Sequence, residues 1–222
     1  MPLREIAGPA GRLEALIDEP APRGVSAEGL MTPGHGKGLR AAVVFAHPHT
    51  EHGGTMHTKV VYQASKALSR IGCAVLRFNF RGAGASPGSF TNGPGEMDDF
   101  RAALDFLHDR YAEAPMWAGG MSFGSYVALT VGAEDPRVST LIGIALPIAR
   151  YDFEPVARSS KPKFFIHGER DELCPLKEMR EFYARCAEPK DLVVIDAADH
   201  LFDGKVSQVA EAIEGLLSDW ST

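Results

Sequence analysis

Ser122 stands midway between two glycines, in Gly120-Met121-Ser122-Phe123-Gly124. The apolar run Pro115-Met116-Trp117-Ala118-Gly119 leads into it and a segment of helical patterning leads out, so the serine falls where a strand turns sharply into a helix. A serine hydroxyl is a poor nucleophile unless it is held exposed beside a base, and glycines two residues away on each side let so strained a turn pack closely on its neighbours. The pattern is short enough to arise by chance, so its meaning depends on what else the chain brings to it. A histidine must take the hydroxyl proton, and a carboxylate must orient that histidine and stabilise its charged form. His200, in Asp196-Ala197-Ala198-Asp199-His200-Leu201-Phe202, and Asp171, in His167-Gly168-Glu169-Arg170-Asp171-Glu172, each follow a strand-like run. Glu169 and Glu172 are rivals for the acid. Asp199 adjoins His200 directly, and a neighbouring side chain rarely points the right way.

A nucleophile of this kind also needs donors for the oxyanion that forms on the substrate. The backbone amide of Phe123 is one candidate. The loop Ala46-His47-Pro48-His49-Thr50 offers a second through His49 or Thr50, because Pro48 has no N–H. His47, His49, His52 and His57 with Glu51 also invite a metal reading, but their spacing matches no compact zinc pattern, and histidines hydrogen-bonded to hold the loop are the simpler reading. No metal or cofactor is required. Arg81 lies at the end of a strand, where it could hold a substrate carboxylate; the alternative is a structural arginine tying down the loop over 82–95. Cys174 is close enough to Asp171 to line a pocket, although a cysteine without elbow geometry is first a small buried residue. Glu96, Asp98 and Asp99 suit the N-terminus of their helix through its dipole.

The elements that must position these groups form a strand-then-helix rhythm. Two short alternating runs at 4–7 and 12–17 flank Gly8-Pro9-Ala10-Gly11 and predict a hairpin. Residues 20–38 are rich in Gly and Pro and read as a surface connection, with part of a short strand near Gly29-Leu30-Met31. Strands are expected at 41–46, 74–80, 115–119, 140–146, 163–167 and 191–195, and helices at 58–71, 95–111, 123–132, 176–186 and 206–217. Continuous apolar runs such as 41–46 mark strands covered on both faces. The alternation predicts an α/β architecture, a mostly parallel sheet with helices on both faces and chemistry at the carboxyl ends of its strands.

Composition narrows the setting. The 222 residues suit one domain spanning 1–222, with 45% hydrophobic and 23% charged residues as in ordinary globular chains. A net charge of −6 gives no footprint for nucleic acid or an anionic membrane. Three cysteines far apart in sequence favour a reducing compartment, and with no apolar leader or membrane-length run the expected location is the cytoplasm. The sequence leaves oligomeric state open; a homo-oligomer is compatible with it.

Taken with Gly53-Gly54-Thr55-Met56, the His47-Pro48-His49 loop, Phe78-Asn79-Phe80-Arg81-Gly82-Ala83-Gly84-Ala85-Ser86, the Gly93-Pro94-Gly95-Glu96 turn and the Ser122 elbow, the chain resembles the α/β hydrolases over nearly its whole length. More narrowly it resembles their small, lidless, dienelactone-hydrolase-like esterases. It departs from dienelactone hydrolase proper in carrying Ser122 where that enzyme has cysteine, so that enzyme's substrate does not transfer. The resemblance implies the order serine, acid, histidine, which the chain follows, and an acid loop whose distance from its strand suits Asp171. It implies a serine hydrolase acting on a small-molecule ester or thioester. A peptidase, amidase or acyltransferase could use the same three residues, and a noncatalytic binding protein is the alternative of another class.

Overall fold

The computed structural model describes residues 4–20 and 38–220, so the short strand expected near Gly29-Leu30-Met31 lies outside the described residues. The N-terminal turn closes as its residues predict, joining β1 (Arg4–Gly8) antiparallel to β2 (Gly11–Asp18). There follow β3 (Ala42–Ala46), α1 (Lys59–Arg70), β4 (Ala74–Phe78), α2 (Pro94–Arg110), β5 (Met116–Met121), α3 (Phe123–Glu134) and β6 (Val138–Ile144). The chain ends with α4 (Glu154–Arg158), β7 (Lys163–Gly168), α5 (Leu176–Arg185), β8 (Lys190–Ile195) and α6 (Val206–Leu217).

All eight strands join one sheet in the order β1-β2-β4-β3-β5-β6-β7-β8. β2 pairs antiparallel with β4, and every pairing from β4 to β8 is parallel. The order reverses at β3, which has β4 on one side and β5 on the other; such a switch point opens a crevice at the carboxyl ends of the strands. Ala46 at the end of β3 lies in register with Gly120 near the end of β5, which sets the His47 loop beside the Ser122 elbow.

Period-two alternation divides the core into two layers. Val44, Leu76 and Ala118 face one layer with α2, α3 and α5, whereas Val43, Val75 and Trp117 face the other with α1 and α6. Since both faces are covered, the central strands need apolar residues at every position, which is why they read as unbroken runs. A buried charged pair interrupts this pattern between β2 and β4. Arg77 on β4 is buried and donates from Nε to Asp18 Oδ2 at 2.7 Å, while Lys66 reaches Asp18 Oδ1 at 2.7 Å and Ser65 Oγ reaches Oδ2 at 2.5 Å. Burial pushes the Asp18 carboxyl up, but these three donors outweigh it and hold the group below the usual carboxylate value.

Several boundaries differ from the sequence reading, each with a local cause. The strand expected over 74–80 ends at Phe78, because the Glu14 amide that would continue the pairing with β2 goes to Ser86 Oγ at 3.0 Å and the amide of Phe80 goes to a histidine ring. The strand expected over 140–146 begins at Val138 and ends at Ile144, where Ala145 takes a left-handed backbone (φ 50°). The five-residue α4, with proline in its first turn, was too short to show helical periodicity. It is the one helix between β6 and β7, so no lid covers the sheet there.

Candidate active site

Ser122 has φ 52° and ψ −125°, a conformation unfavourable for a residue with a Cβ, at the junction between β5 and α3. The tightness of the turn explains its glycines. A Cβ on Gly120 would collide with the backbone carbonyl of Gly124, and a Cβ on Gly124 with the backbone of Ala46 and His47. The elbow is therefore pressed directly against the end of β3, and side-chain carbon is excluded on both sides of the serine.

Ser122 Oγ lies 2.9 Å from His200 Nε2, and His200 Nδ1 lies 2.8 Å from Asp171 Oδ2. The carboxylate can only accept, so Nδ1 carries the proton and Nε2 offers its lone pair to the serine O–H. Asp171 is fixed from the other side by the amides of Leu173 and Cys174, each donating to Oδ1 at 2.9 Å. Burial pushes the Asp171 carboxyl up, but the His200 hydrogen bond and charge, with the Cys174 amide, outweigh it and keep the acid ionised below the usual value. This arrangement can strip a proton from Ser122 and hold the resulting imidazolium.

The rivals for the acid are occupied elsewhere. Glu169 accepts the amide of Ala197 at 2.7 Å, Asp199 accepts those of Leu201 and Asp203, and Glu172 is exposed. Cys174 enters the site through its backbone rather than as a pocket lining. Its side chain has no solvent exposure, burial pushes its thiol up to about 12, and its carbonyl accepts from His167 Nε2 at 2.8 Å.

Phe123 opens α3, so its amide is among those with no acceptor inside the helix. Across from it, residues Thr50–His52 make a single 3-10 turn in which the His49 carbonyl takes the amides of His52 and Gly54, and the Thr50 carbonyl takes that of Gly53. The His49 and Thr50 amides have no acceptor among the described residues. The His49 ring lies 5.4 Å from that of Phe123, which brings this loop against the elbow. His47 donates from Nδ1 to the Pro48 carbonyl at 2.6 Å and accepts the Phe80 amide on Nε2 at 3.0 Å, a loop-holding role that leaves no ring nitrogen for a metal. Burial pushes its pKa down to about 4, against a smaller opposing effect of the Pro48 carbonyl.

Arg81 is paired within the chain. Its guanidinium grips Asp99 from Nε at 3.0 Å and Nη2 at 2.8 Å, and its amide donates to the same carboxylate at 2.9 Å. The fork that could hold a substrate carboxylate is thus closed on Asp99, as the structural alternative requires. Glu96 caps α2, accepting from Gly93 and Thr91. The sequence alone gave no role to Asn79, Glu14 or His167. Asn79 accepts the Met56 amide at 2.8 Å and donates to Glu14 at 2.7 Å, pinning the far end of the His49 loop. Its only sequence signal is a polar residue closing a buried strand.

A family model described as an alpha/beta hydrolase domain matches residues 39–217. The chain belongs to the α/β hydrolases. This α/β hydrolase is 35% identical over 180 residues to the uncharacterized protein RP471 of Rickettsia prowazekii, covering 77% of this chain and 76% of that one. Among solved structures it is similar to an alpha-beta serine hydrolase homologue from Coxiella burnetii, with TM-score 0.85 and 32% identity over 97% of each chain. It is also similar to XC6422 from Xanthomonas campestris, described as an a/b serine hydrolase without lid, with TM-score 0.87 and 30% identity over 99% of this chain and 94% of that one. The lidless subgroup expected from the motifs is the one the Xanthomonas structure represents.

Proposed function

We propose that this α/β hydrolase cleaves a small-molecule carboxylic ester or thioester through an acyl-enzyme on Ser122. The observation that carries the reading is the unbroken hydrogen-bond line from Asp171 through His200 to a serine held at φ 52°. His200 removes the Ser122 proton as the hydroxyl attacks the carbonyl carbon, and Asp171 stabilises the imidazolium. The Phe123 amide and one from His49 or Thr50 receive the oxyanion. His200 then protonates the departing alcohol or thiol. In the second half it activates a water that releases the acid and restores Ser122. Three buried, free cysteines support a reducing, cytoplasmic setting. No helix among the described residues is long and apolar enough to cross a membrane.

Turnover of a panel of short and medium nitrophenyl esters and thioesters, run beside Ser122→Ala and with fluorophosphonate labelling, tests the proposal. Labelling at Ser122 and turnover lost in Ser122→Ala is the expected result. Wild-type turnover no better than that of the variant would overturn it.

A further inference from the structure

The ring of Phe123, the residue after the nucleophile, is the hub of an aromatic cluster. It meets Phe90 at 5.1 Å, His49 at 5.4 Å and Tyr151 at 5.7 Å between ring centres, while Tyr151 stacks on Tyr126 at 4.3 Å and 19°. Phe90 and His49 are themselves in ring contact at 4.2 Å. Phe123 is buried, but the other four are only half-buried, so part of each residue is open to solvent. They come from four places at the carboxyl edge of the sheet: the loops after β3, β4 and β6, and the first turn of α3. The surface is also fixed, since the Tyr151 hydroxyl donates to Asn92 Oδ1 at 2.8 Å.

The opposite rim is apolar in a different way. Leu173 and Leu201 are 48% and 54% exposed, two of three large exposed hydrophobic side chains among the described residues. Leu201 follows His200 and Leu173 lies two residues beyond Asp171, and the amides of both are tied into these loops at Asp171 and Asp199. With no lid to cover them, aromatic faces flank Ser122 on the oxyanion-loop side and aliphatic tips on the histidine side. Large side chains left in water at a reactive centre are the usual mark of a ligand surface. Charged groups of both signs surround the shelf, Arg150 and Glu96 acting on His49 and Tyr151, Glu51 on His49 and Asp152 on Tyr126, so no single sign of charge is presented to a substrate.

We infer that this hydrolase selects uncharged esters bearing a planar aromatic group, which packs on the shelf formed by His49, Phe90, Tyr126 and Tyr151. Flat rings meet flat or edge-on partners with a gain beyond area burial, of about two- to tenfold in affinity for each ring pair, whereas a straight acyl chain gains area alone. The inference rests on the ester-cleavage reading for its chemistry, but the shelf binds whether or not the serine reacts.

The test uses methyl esters, so that the leaving group contributes no ring. Methyl benzoate, phenylacetate and cinnamate are compared with methyl butanoate, hexanoate and octanoate, reading kcat/KM by proton release, in wild type, Phe90→Leu and Tyr151→Leu. Wild type is expected to favour the aromatic series roughly tenfold, and each variant to lose about two- to tenfold of that ratio. Because the ratio is taken within each variant, partial loss of folded protein cancels. Binding of methyl cinnamate and methyl octanoate to Ser122→Ala, followed by ligand-observed NMR, reads the shelf without chemistry. Tighter binding of the cinnamate supports the shelf even if no ester turns over, which would count against the ester reading alone. A wild type that prefers the straight chains, a ratio unchanged in both variants, or equal binding of the two ligands overturns it.

Discussion

His47 Nε2 accepts the backbone N–H of Phe80 at 3.0 Å, joining the loop after β3 to the loop after β4 beneath the elbow. The bond fixes the ring as the neutral Nδ1–H tautomer, and that proton is spent on the Pro48 carbonyl. One side chain therefore shapes the backbone that leads to the His49 and Thr50 amides. In His47→Ala the buried Phe80 amide loses its acceptor, at a cost of about 1–3 kcal/mol. Urea unfolding should show that loss. The rate of fluorophosphonate labelling of Ser122 should fall with it, measured on the fraction that remains folded.

Asn79 braces the other end of the same loop through Met56. Asn79→Ala should lower kcat by up to about a hundredfold with little change in KM, because a misplaced amide weakens oxyanion stabilisation more than ground-state binding. Rates are taken per folded molecule, counted by circular dichroism; a loss that disappears on that correction would assign Asn79 to general stability instead.

Asp171→Asn keeps the size of the acid and removes its charge. The amide offers Nδ1 of His200 no strong acceptor and favours the wrong tautomer, so kcat should fall by roughly 10⁴-fold. A pH–rate profile and steady-state kinetics at saturating ester check the magnitude.

Stability should fall as the solution is acidified from neutrality. His47 titrates at about 4 in the folded chain against 6.5 in the unfolded one, so between those values the unfolded state binds a proton that the folded state does not. The contribution is fully present above about pH 6.5 and is lost as the pH falls toward 4. His167, also lowered by burial, acts in the same direction. Asp171, with its lowered pKa, adds a loss only further down, below the ordinary carboxylate value of 3.8. Urea midpoints at pH 7.5 and 5 should differ in wild type, and less in His47→Ala; identical wild-type midpoints would contradict the burial of a neutral His47.

Two glycine substitutions should move stability in opposite directions. Gly124→Ala forces a methyl into the Ala46 and His47 backbone and should cost about 3 kcal/mol or more. In α6, an alanine at Gly215 meets nothing and should add up to about 1 kcal/mol. Thermal melts of both proteins measure the contrast.

What could be read from the chain follows from what each residue does. Ser122, Asp171 and His200 were legible because each lies just past an apolar strand, and a parallel sheet brings such ends to one edge. The brace residues were not. Arg77 and Asp18 are charged residues whose burial depends on pairing across β2 and β4, and Asn79 and Glu14 meet across 65 residues of sequence. The aromatic shelf was hidden for the same reason, since its rings come from separate loops and no periodicity links them.

Glu14 gives the N-terminal hairpin a consequence for how the protein is made. Its side chain takes the amides of Asn79 and Ala85, and its own amide goes to Ser86, yet it lies outside residues 39–217 that the family model covers. During synthesis β2 emerges before β4 exists, with Leu13, Ala15 and Ile17 facing a core not yet assembled. Contacts this distant along the chain bear their loop-closure entropy before any packing rewards it. Once made, the hairpin strand must therefore wait for β4, and the carboxyl edge of the sheet is completed by a segment translated well before the strand it pairs with.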